Sequence, residues 1–352
     1  MDHSQRYSKQ TLFSPVGEEG QLRLANSSVL LVGCGALGCV LADSLVRAGV
    51  GKIRIVDRDF VEASNLQRQI LFTEADAEGH LPKAIAAQNR LSQINSSILI
   101  EAIVADVTES NLPKFASSVD LILDGTDNFE IRYLINDVAL ETNTPWIFTG
   151  CTGSTGQMMP VIPFKTGCLR CLMPDAPPLG ATETCDTAGV LGPAVTAIAS
   201  MQAAVALRLL VEQHLYADEP DQLNDFKQLT IVDVWNQTQR AVDCQSLPAA
   251  NCPACQGGER KWLHGRESGQ STVLCGRNAV QVSPATSMSL SLDELANRFR
   301  PFAEVSSNRF LVRANLAESE IQLTVFPDGR TIVKGTEDPA VARSIVARWI
   351  GS

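Results

Sequence analysis

The feature that most constrains this chain is the string VLLVGCGALG at residues 29–38, where an aliphatic run passes through three glycines straight into a helical pattern. A strand that ends in glycine and turns directly into a helix needs a crossover connection. The helix packs back on the sheet and the next strand runs parallel to the first. The first half of the chain keeps this alternation. Strands are expected at residues 28–32 (SVLLV), 52–56 (KIRIV), 98–104, 119–123 (VDLIL) and 145–148, with helices at 36–48, 83–93 and 129–141. The pattern predicts an α/β fold: a Rossmann-like, doubly wound, mostly parallel sheet with helices on both faces. Residues 157–162 read as an added strand.

The remainder is less regular. Residues 168–189 are rich in Pro, Gly and Cys, and a long stretch of that kind is usually functional. Residues 192–214 form one apolar helix. It carries Gln202, Arg208 and Glu212, so it reads as a buried core helix and not as a membrane span. An acidic connector and a hairpin at 229–244 follow. A length of 352 residues leaves room for about two domains at ~150 residues each. The expected division is a first domain over 1–256, a Gly-, Ser- and charge-rich linker over 257–271 and a small α+β module over 272–352. That module should have strands at 272–282, 309–314 and 321–334, and helices at 292–299 and 339–350.

The charge balance excludes one class of partner. With 29 Lys and Arg against 39 Asp and Glu, the net charge is −10, and no diffuse positive field exists to hold nucleic acid. Local phosphate binding stays open, because a few cations and backbone amides suffice. The polar N-terminus carries no secretory signal, and ten cysteines in a chain this long point to a cytoplasmic protein with metal-binding thiols.

Gly33, Gly35 and Gly38 let the backbone approach a phosphate at a helix N-terminus, and Asp57 ends the next strand 19 residues later, where an acid can take ribose hydroxyls. Alone, this fits NAD, FAD or ATP, or a glycine turn with no ligand. SNLQRQ (residues 64–69) adds Asn65, Arg68 and Gln69, followed by Lys83 and by Asp127 with Asn128 in DGTDN. Singly, each would read as a solvated surface group. In a parallel sheet, however, strand ends converge on one crevice. Two cations for a polyphosphate and one carboxylate for Mg²⁺ favour ATP over NAD.

Cys168 and Cys171 (GCLRC) and Cys252 and Cys255 (NCPACQ) are two Cys-x-x-Cys pairs with 80 residues between them. The set matches a tetrahedral zinc site that staples distant segments. Four protein ligands leave no open position, so the metal would be structural. A thiol–disulfide pair is the alternative. Cys34 and Cys39 read as small packing groups, Cys151 is otherwise unmarked, and His80 and His214 are ordinary polar residues.

The ordered series RYSKQ, VGCGALG, VDRDFVEASNLQRQ, LPK, TDN, GCLRC, TCDTAGV and CPAC resembles the MoeB/ThiF/HesA family, the bacterial relatives of ubiquitin-activating enzymes, over residues 6–256. The resemblance implies an adenylyltransferase. It would act as a homodimer and use ATP and Mg²⁺ on the C-terminal glycine of a small ubiquitin-like sulfur carrier ending in Gly-Gly. Pyrophosphate is released, and the carrier is prepared for sulfur transfer of the molybdopterin or thiamin type. Matched by motif, the ribose acid is Asp57, and the phosphate and nucleotide contacts are Ser64, Asn65, Leu66, Gln67, Arg68 and Lys83. Asp127, beside Asn128, is linked to Mg²⁺, and the four cysteines hold one zinc per chain. Two positions depart from the family pattern. Ala36 replaces a common glycine of the turn, and Lys9 replaces an arginine that reaches ATP from the partner subunit. Lysine keeps the charge but lacks the bidentate fork. Cys185, in ETCDTAGV, falls where some members carry a thiol that takes the activated carboxylate or its sulfur; an unreactive loop cysteine is the alternative. The last 80 or so residues do not resemble the sulfurtransferase domain of some relatives. Two other functions are weighed against this one: a dinucleotide-dependent oxidoreductase, which leaves SNLQRQ and TDN unexplained, and a non-enzymatic zinc-stapled scaffold, supported by Ala36 and Lys9.

Overall fold

The computed structural model describes residues 3–176, 188–213, 220–244, 246–264, 271–274, 278–284, 288–316 and 320–350. The chain divides into two compact units, Met1–Arg266 and Glu267–Ser352.

The first unit is built on an eight-stranded sheet. Its strands are β1 Ser28–Val32, β2 Lys52–Val56, β3 Leu99–Ile103, β4 Leu121–Asp124, β5 Trp146–Thr152, β6 Thr155–Val161, β7 Gln228–Asp233 and β8 Thr238–Asp243, in the order β3-β2-β1-β4-β5-β6-β7-β8. The five strands β1 to β5 are parallel. From β5 onward the pairing is antiparallel, so the expected added strand is β6 and the expected hairpin is β7–β8. The chain steps outward from β1 to β3, then returns to lay β4 on the other side of β1. That reversal opens a crevice at the carboxyl ends of β1 and β4. Register sharpens it: Val32 is opposite both Val56 and Asp124, and Val56 is opposite Ile103, so four strand ends lie level on one edge.

Alternation along the strands divides the core between the two faces of the sheet. Val29 and Leu31 join one apolar cluster, while Leu30 and Val32 join the other. The first cluster is closed by helix α1 Gly17–Asn26, helix α2 Ala36–Ala48, helix α3 Lys83–Ile94 and, further along the chain, residues 192–212; the second is closed by helix α4 Phe129–Thr142. Asn128 caps α4 by accepting the Glu130 and Ile131 amides, and Gly49, at φ +89°, ends α2 in a left-handed turn that a side chain would strain. Helix α5, Gly192–Glu212, is long and apolar enough to cross a membrane, yet Val195, Ile198, Ala199, Gln202, Ala206 and Leu209 are buried inside this unit. It lies so close to β6 that a methyl group on Gly156 would sit 2.6 Å from the Ile198 Cβ.

Part of the stretch expected as a linker is packed core. Residues Lys261–His264 form a short helix whose Trp262 is buried, stacks on Tyr133 at 5.0 Å and donates its backbone N–H to Asp137 at 2.8 Å. The Gly, Ser and charge content around it concealed one anchoring aromatic.

The second unit is an antiparallel six-stranded sheet of β9 Ser271–Leu274, β10 Ala279–Val282, β11 Ala303–Ser307, β12 Val312–Leu316, β13 Gln322–Val325 and β14 Thr331–Lys334, in the order β11-β12-β13-β14-β10-β9. Helices α6 Leu292–Phe299 and α7 Pro339–Trp349, capped by Ser291 and Asp338, complete it. Phe299, Val312, Leu323, Val325 and Val333 fill its core. The single strand expected at 272–282 is two strands paired as a hairpin, Val282 opposite Ser271. Strand β11 lies outside the expected strands, because at the sheet edge its apolar alternation is only Ala303 and Val305, both half-buried, with Glu304 and Ser306 exposed between and after them.

Candidate active site

The glycine turn is held by backbone packing. Gly33 has φ +87°, and its N–H donates to the Val56 carbonyl at 2.8 Å. A methyl group on Gly38 would sit 2.2 Å from the Gly33 carbonyl oxygen, and one on Gly125 would sit 2.4 Å from it. These glycines let the ends of β1, β4 and α2 touch. Gly35 is different: a methyl there meets nothing nearer than the Gly125 oxygen at 3.9 Å. Among the described residues only Gly125 and Gln69 come within 4 Å of that side. Ala36 is the first residue of α2.

Asp57 is locked beside this turn. One carboxylate oxygen accepts the Cys34 N–H and the other the Asp59 N–H, each at 2.7 Å. Burial pushes its pKa up, while Lys83 and the two amides act in the opposite direction. Lys83 opens α3, is buried, and places Nζ 3.3 Å from Asp59. Asp59 therefore links the acid to the lysine through its backbone and its side chain.

The SNLQRQ segment crosses the same edge. Asn65 is buried, and its side-chain oxygen accepts the Glu62 N–H at 3.1 Å, so it shapes the short 3₁₀ turn Ala63–Asn65. Ser64 and Gln67 are exposed, Leu66 packs on the core, and Gln69 is buried near Gly35. The Arg68 guanidinium donates to the Ser64 carbonyl at 2.9 Å. The first residue of α5 lies against this segment, with a methyl on Gly192 falling 3.1 Å from the Gln67 carbonyl oxygen.

Asp127 is exposed one residue beyond a tightly anchored Thr126, and it makes no hydrogen bond or ion pair among the described residues. Asp57, Asp59 and Asp124 on the same edge are all engaged. A carboxylate left open beside anchored neighbours fits an Mg²⁺ ligand, whereas Asn128 spends its side-chain oxygen on capping α4.

Lys9 does not join this edge within its own chain. Around it, Arg6 donates to the Ile94 carbonyl, Gln10 to the Ala48 carbonyl, and the Tyr7 hydroxyl accepts from Asn95. Ile94 and Ala48 are the far ends of α3 and α2. Lys9 is thus exposed about one helix length, ~20 Å, from the glycine turn. Cys185 lies outside the described residues. The described chain resumes at Ala188, and Gly153 exchanges backbone hydrogen bonds with Gly189 and Leu191 there.

The four cysteines meet as their spacing predicted. Their sulfurs lie within 4.8 Å of one another, with Cys168–Cys171 at 3.8 Å, Cys168–Cys252 at 3.6 Å and Cys171–Cys255 at 3.4 Å. Tetrahedral ligation at ~2.3 Å per sulfur requires separations of about 3.8 Å, so the set fits one zinc ion. The thiol hydrogen bond from Cys168 draws Cys171 down to about 5 and drives Cys168 far up. Such crowding is relieved when a cation balances the thiolates. The Ala249 N–H donates to the Cys171 sulfur at 3.4 Å.

Sequence reasoning missed Asp59, Asp124 and Arg132. An acid closing the apolar run LILD was a usable signal for Asp124; nothing local marked its partner, eight residues on.

Level strand ends, a crevice at the reversal of strand order and a glycine turn at a helix N-terminus define a doubly wound α/β protein of the nucleotide-binding class. The ThiF family profile matches residues 7–254. A Bacillus subtilis (strain 168) protein named sulfur carrier protein ThiS adenylyltransferase is 40% identical over 347 residues, 98% of this chain and 99% of that one. The Escherichia coli (strain K12) protein of that name is 37% identical over 253 residues, 72% of this chain and 95% of its own length. Among solved structures, E. coli MccB with ATP matches the fold at a TM-score of 0.60, with 22% identity over 70% of this chain and 74% of that one. The chain belongs to the ThiF family and is homologous to the ThiS-, MoeB- and HesA-type adenylyltransferases. Family membership displaces the oxidoreductase alternative.

Proposed function

We propose that this chain uses ATP to adenylate the C-terminal glycine of a small ubiquitin-like sulfur carrier, releasing pyrophosphate. The observation that carries the reading is the chain of contacts from the glycine turn through Asp57 and Asp59 to Lys83, with Gln69 of the SNLQRQ segment beside Gly35. The full-length match to a ThiS adenylyltransferase supports the choice of substrate class.

A carboxylate is already ionised at pH 7, so its attack on the α-phosphate needs no general base. The obstacle is repulsion between anions, and catalysis is positioning and charge neutralisation. Asp57, clamped by two amides, orients the ribose. The open face of Gly35 admits the phosphates, while Arg68 and Lys83 offset their charge. Mg²⁺, held through Asp127, supplies further neutralisation of the polyphosphate. Lys83 begins its task already paired with Asp59, so the lysine is aimed before substrate arrives.

A zinc ion on Cys168, Cys171, Cys252 and Cys255 would tie two distant segments with a closed ligand set. Lys9, remote from its own crevice, would serve the site of a second copy in a homodimer. Exposed Leu12, Phe13 and Leu22 give the N-terminal helices an apolar surface suited to that contact. The matched 253 residues make up 95% of the E. coli relative of the same name, which leaves no room there for a unit the size of Glu267–Ser352, so the second unit would support partner binding or dimerisation and not nucleotide binding.

The test is ATP–pyrophosphate exchange against a panel of small Gly-Gly-ending proteins from the same host. One carrier should stimulate exchange strongly, and its des-glycine form should not. Exchange stimulated by none would refute the reading.

A further inference from the structure

One buried ion pair beneath the crevice has no role in the reading above. Asp124 is fully buried at the end of β4, and Arg132 lies one turn into α4 with its Nε 2.9 Å from Asp124 Oδ2. The same guanidinium donates from Nη2 to the Thr126 carbonyl at 2.7 Å. Asp124 Oδ1 accepts both the N–H and the hydroxyl of Thr126, each at 2.9 Å, and Oδ2 also accepts the Thr149 N–H at 3.2 Å. Thr126 is therefore gripped at its amide, its hydroxyl and its carbonyl. On the other side of Asp127, Asn128 is fixed by the two amides it caps. Arg132 has little freedom of its own, because its guanidinium carbon lies 5.0 Å from the Phe129 ring and 5.4 Å from the Phe148 ring.

Among the described residues Asp127 has no hydrogen bond to place it, so it takes its position from these two neighbours. We propose that Arg132, set on Asp124, is the positioning residue that presents the Asp127 carboxylate to the nucleotide site. The clamp needs a planar fork. One N–H serves the carboxylate at the end of β4 and another the carbonyl of the loop that follows it, which a lysine ammonium on its flexible stem cannot reproduce. A buried pair of this kind is weak evidence for stability but is well suited to fixing one geometry. The catalytic part of the proposal rests on the adenylation reading, while the clamp itself does not.

The experiment compares the full-length protein with its Arg132→Lys and Thr126→Val variants. Arg132→Lys keeps the charge in the buried pair. Thr126→Val removes one hydrogen bond and leaves the pair intact, so it tests the clamp even where the lysine variant folds poorly. Amide exchange of residues 125–129 is read by mass spectrometry on the free protein, and pyrophosphate exchange is read as kcat and KM for ATP. Both variants should speed amide exchange in that loop, by about tenfold for the lysine variant. kcat should fall ~10–100-fold with KM for ATP within about twofold, as expected for a misplaced group and not for lost binding. Unchanged loop exchange in both variants overturns the clamp, whatever the activity. Faster loop exchange with unchanged kcat overturns the role in presenting Asp127. If the wild type exchanges pyrophosphate with no carrier, the functional reading fails, and loop exchange in the free protein still decides the clamp.

Discussion

Two glycines of the same turn should fail in opposite ways. At Gly38 a methyl would sit 2.2 Å from the Gly33 carbonyl oxygen, more than 1 Å inside ordinary contact, and the obstacle is backbone tied to β2. Gly38→Ala gains about 0.5–1 kcal/mol of helix propensity within α2. Against this stands overpacking of about 1–3 kcal/mol or more when groups cannot yield. The obstacle here is main chain, so the upper figure applies and the net loss is about 2–2.5 kcal/mol. For a unit of this size that lowers Tm by ~4–10 °C. At Gly35 a methyl meets only atoms at 3.9 Å or beyond and φ is −79°, so Gly35→Ala should stay within about 1 kcal/mol of wild type. On the proposed reading that methyl fills the side through which phosphates would approach, and ATP affinity should fall at least about tenfold. Thermal and urea denaturation, with ATP binding by calorimetry, separate the two outcomes. A Gly38→Ala protein as stable as wild type, or a Gly35→Ala protein that binds ATP normally, would refute the division of labour argued for this turn.

Arg68→Ala and Lys83→Ala should each lower the exchange rate by roughly 10²–10³-fold, and Asp127→Ala should abolish exchange with the fold intact; effects confined to KM would place these residues in ground-state binding instead. One zinc per chain is expected by native mass spectrometry. Cys252→Ser with Cys255→Ser should remove it and lower Tm, because ligation holds residues 168–171 to 252–255. Truncation after Ser271 should leave ATP binding unchanged in calorimetry, and loss of binding would give the second unit a share in the site. Cys185→Ser should preserve pyrophosphate exchange but abolish any covalent adduct with the carrier; an adduct surviving in that variant, seen by mass spectrometry, would assign the thiol chemistry elsewhere.

The sequence determined what depends on neighbours along the chain. Strand–glycine–helix at residues 28–48 permitted only a crossover, and each strand of the parallel set carried an aliphatic run that could be read directly. That Asp57 follows directly on β2 and Asp127 lies in the loop after β4 was legible, because the aliphatic runs mark where each strand stops. The cysteine pairs were legible for a similar reason, since thiols three apart in a tight turn are suited to sharing one metal. Where the pattern was local but weak, as in the edge strand Ala303–Ser307 or around Trp262, the reading failed, because burial there is set by partners far away in sequence. Tertiary structure alone decided that Gly38 and Gly125 close on the same carbonyl, that Lys9 sits at the far end of α2, and that Asp59 aims Lys83. It alone paired Asp124 with Arg132. A buried charge must find its counter-charge across the packed core, and the distance along the chain does not disclose which one it finds.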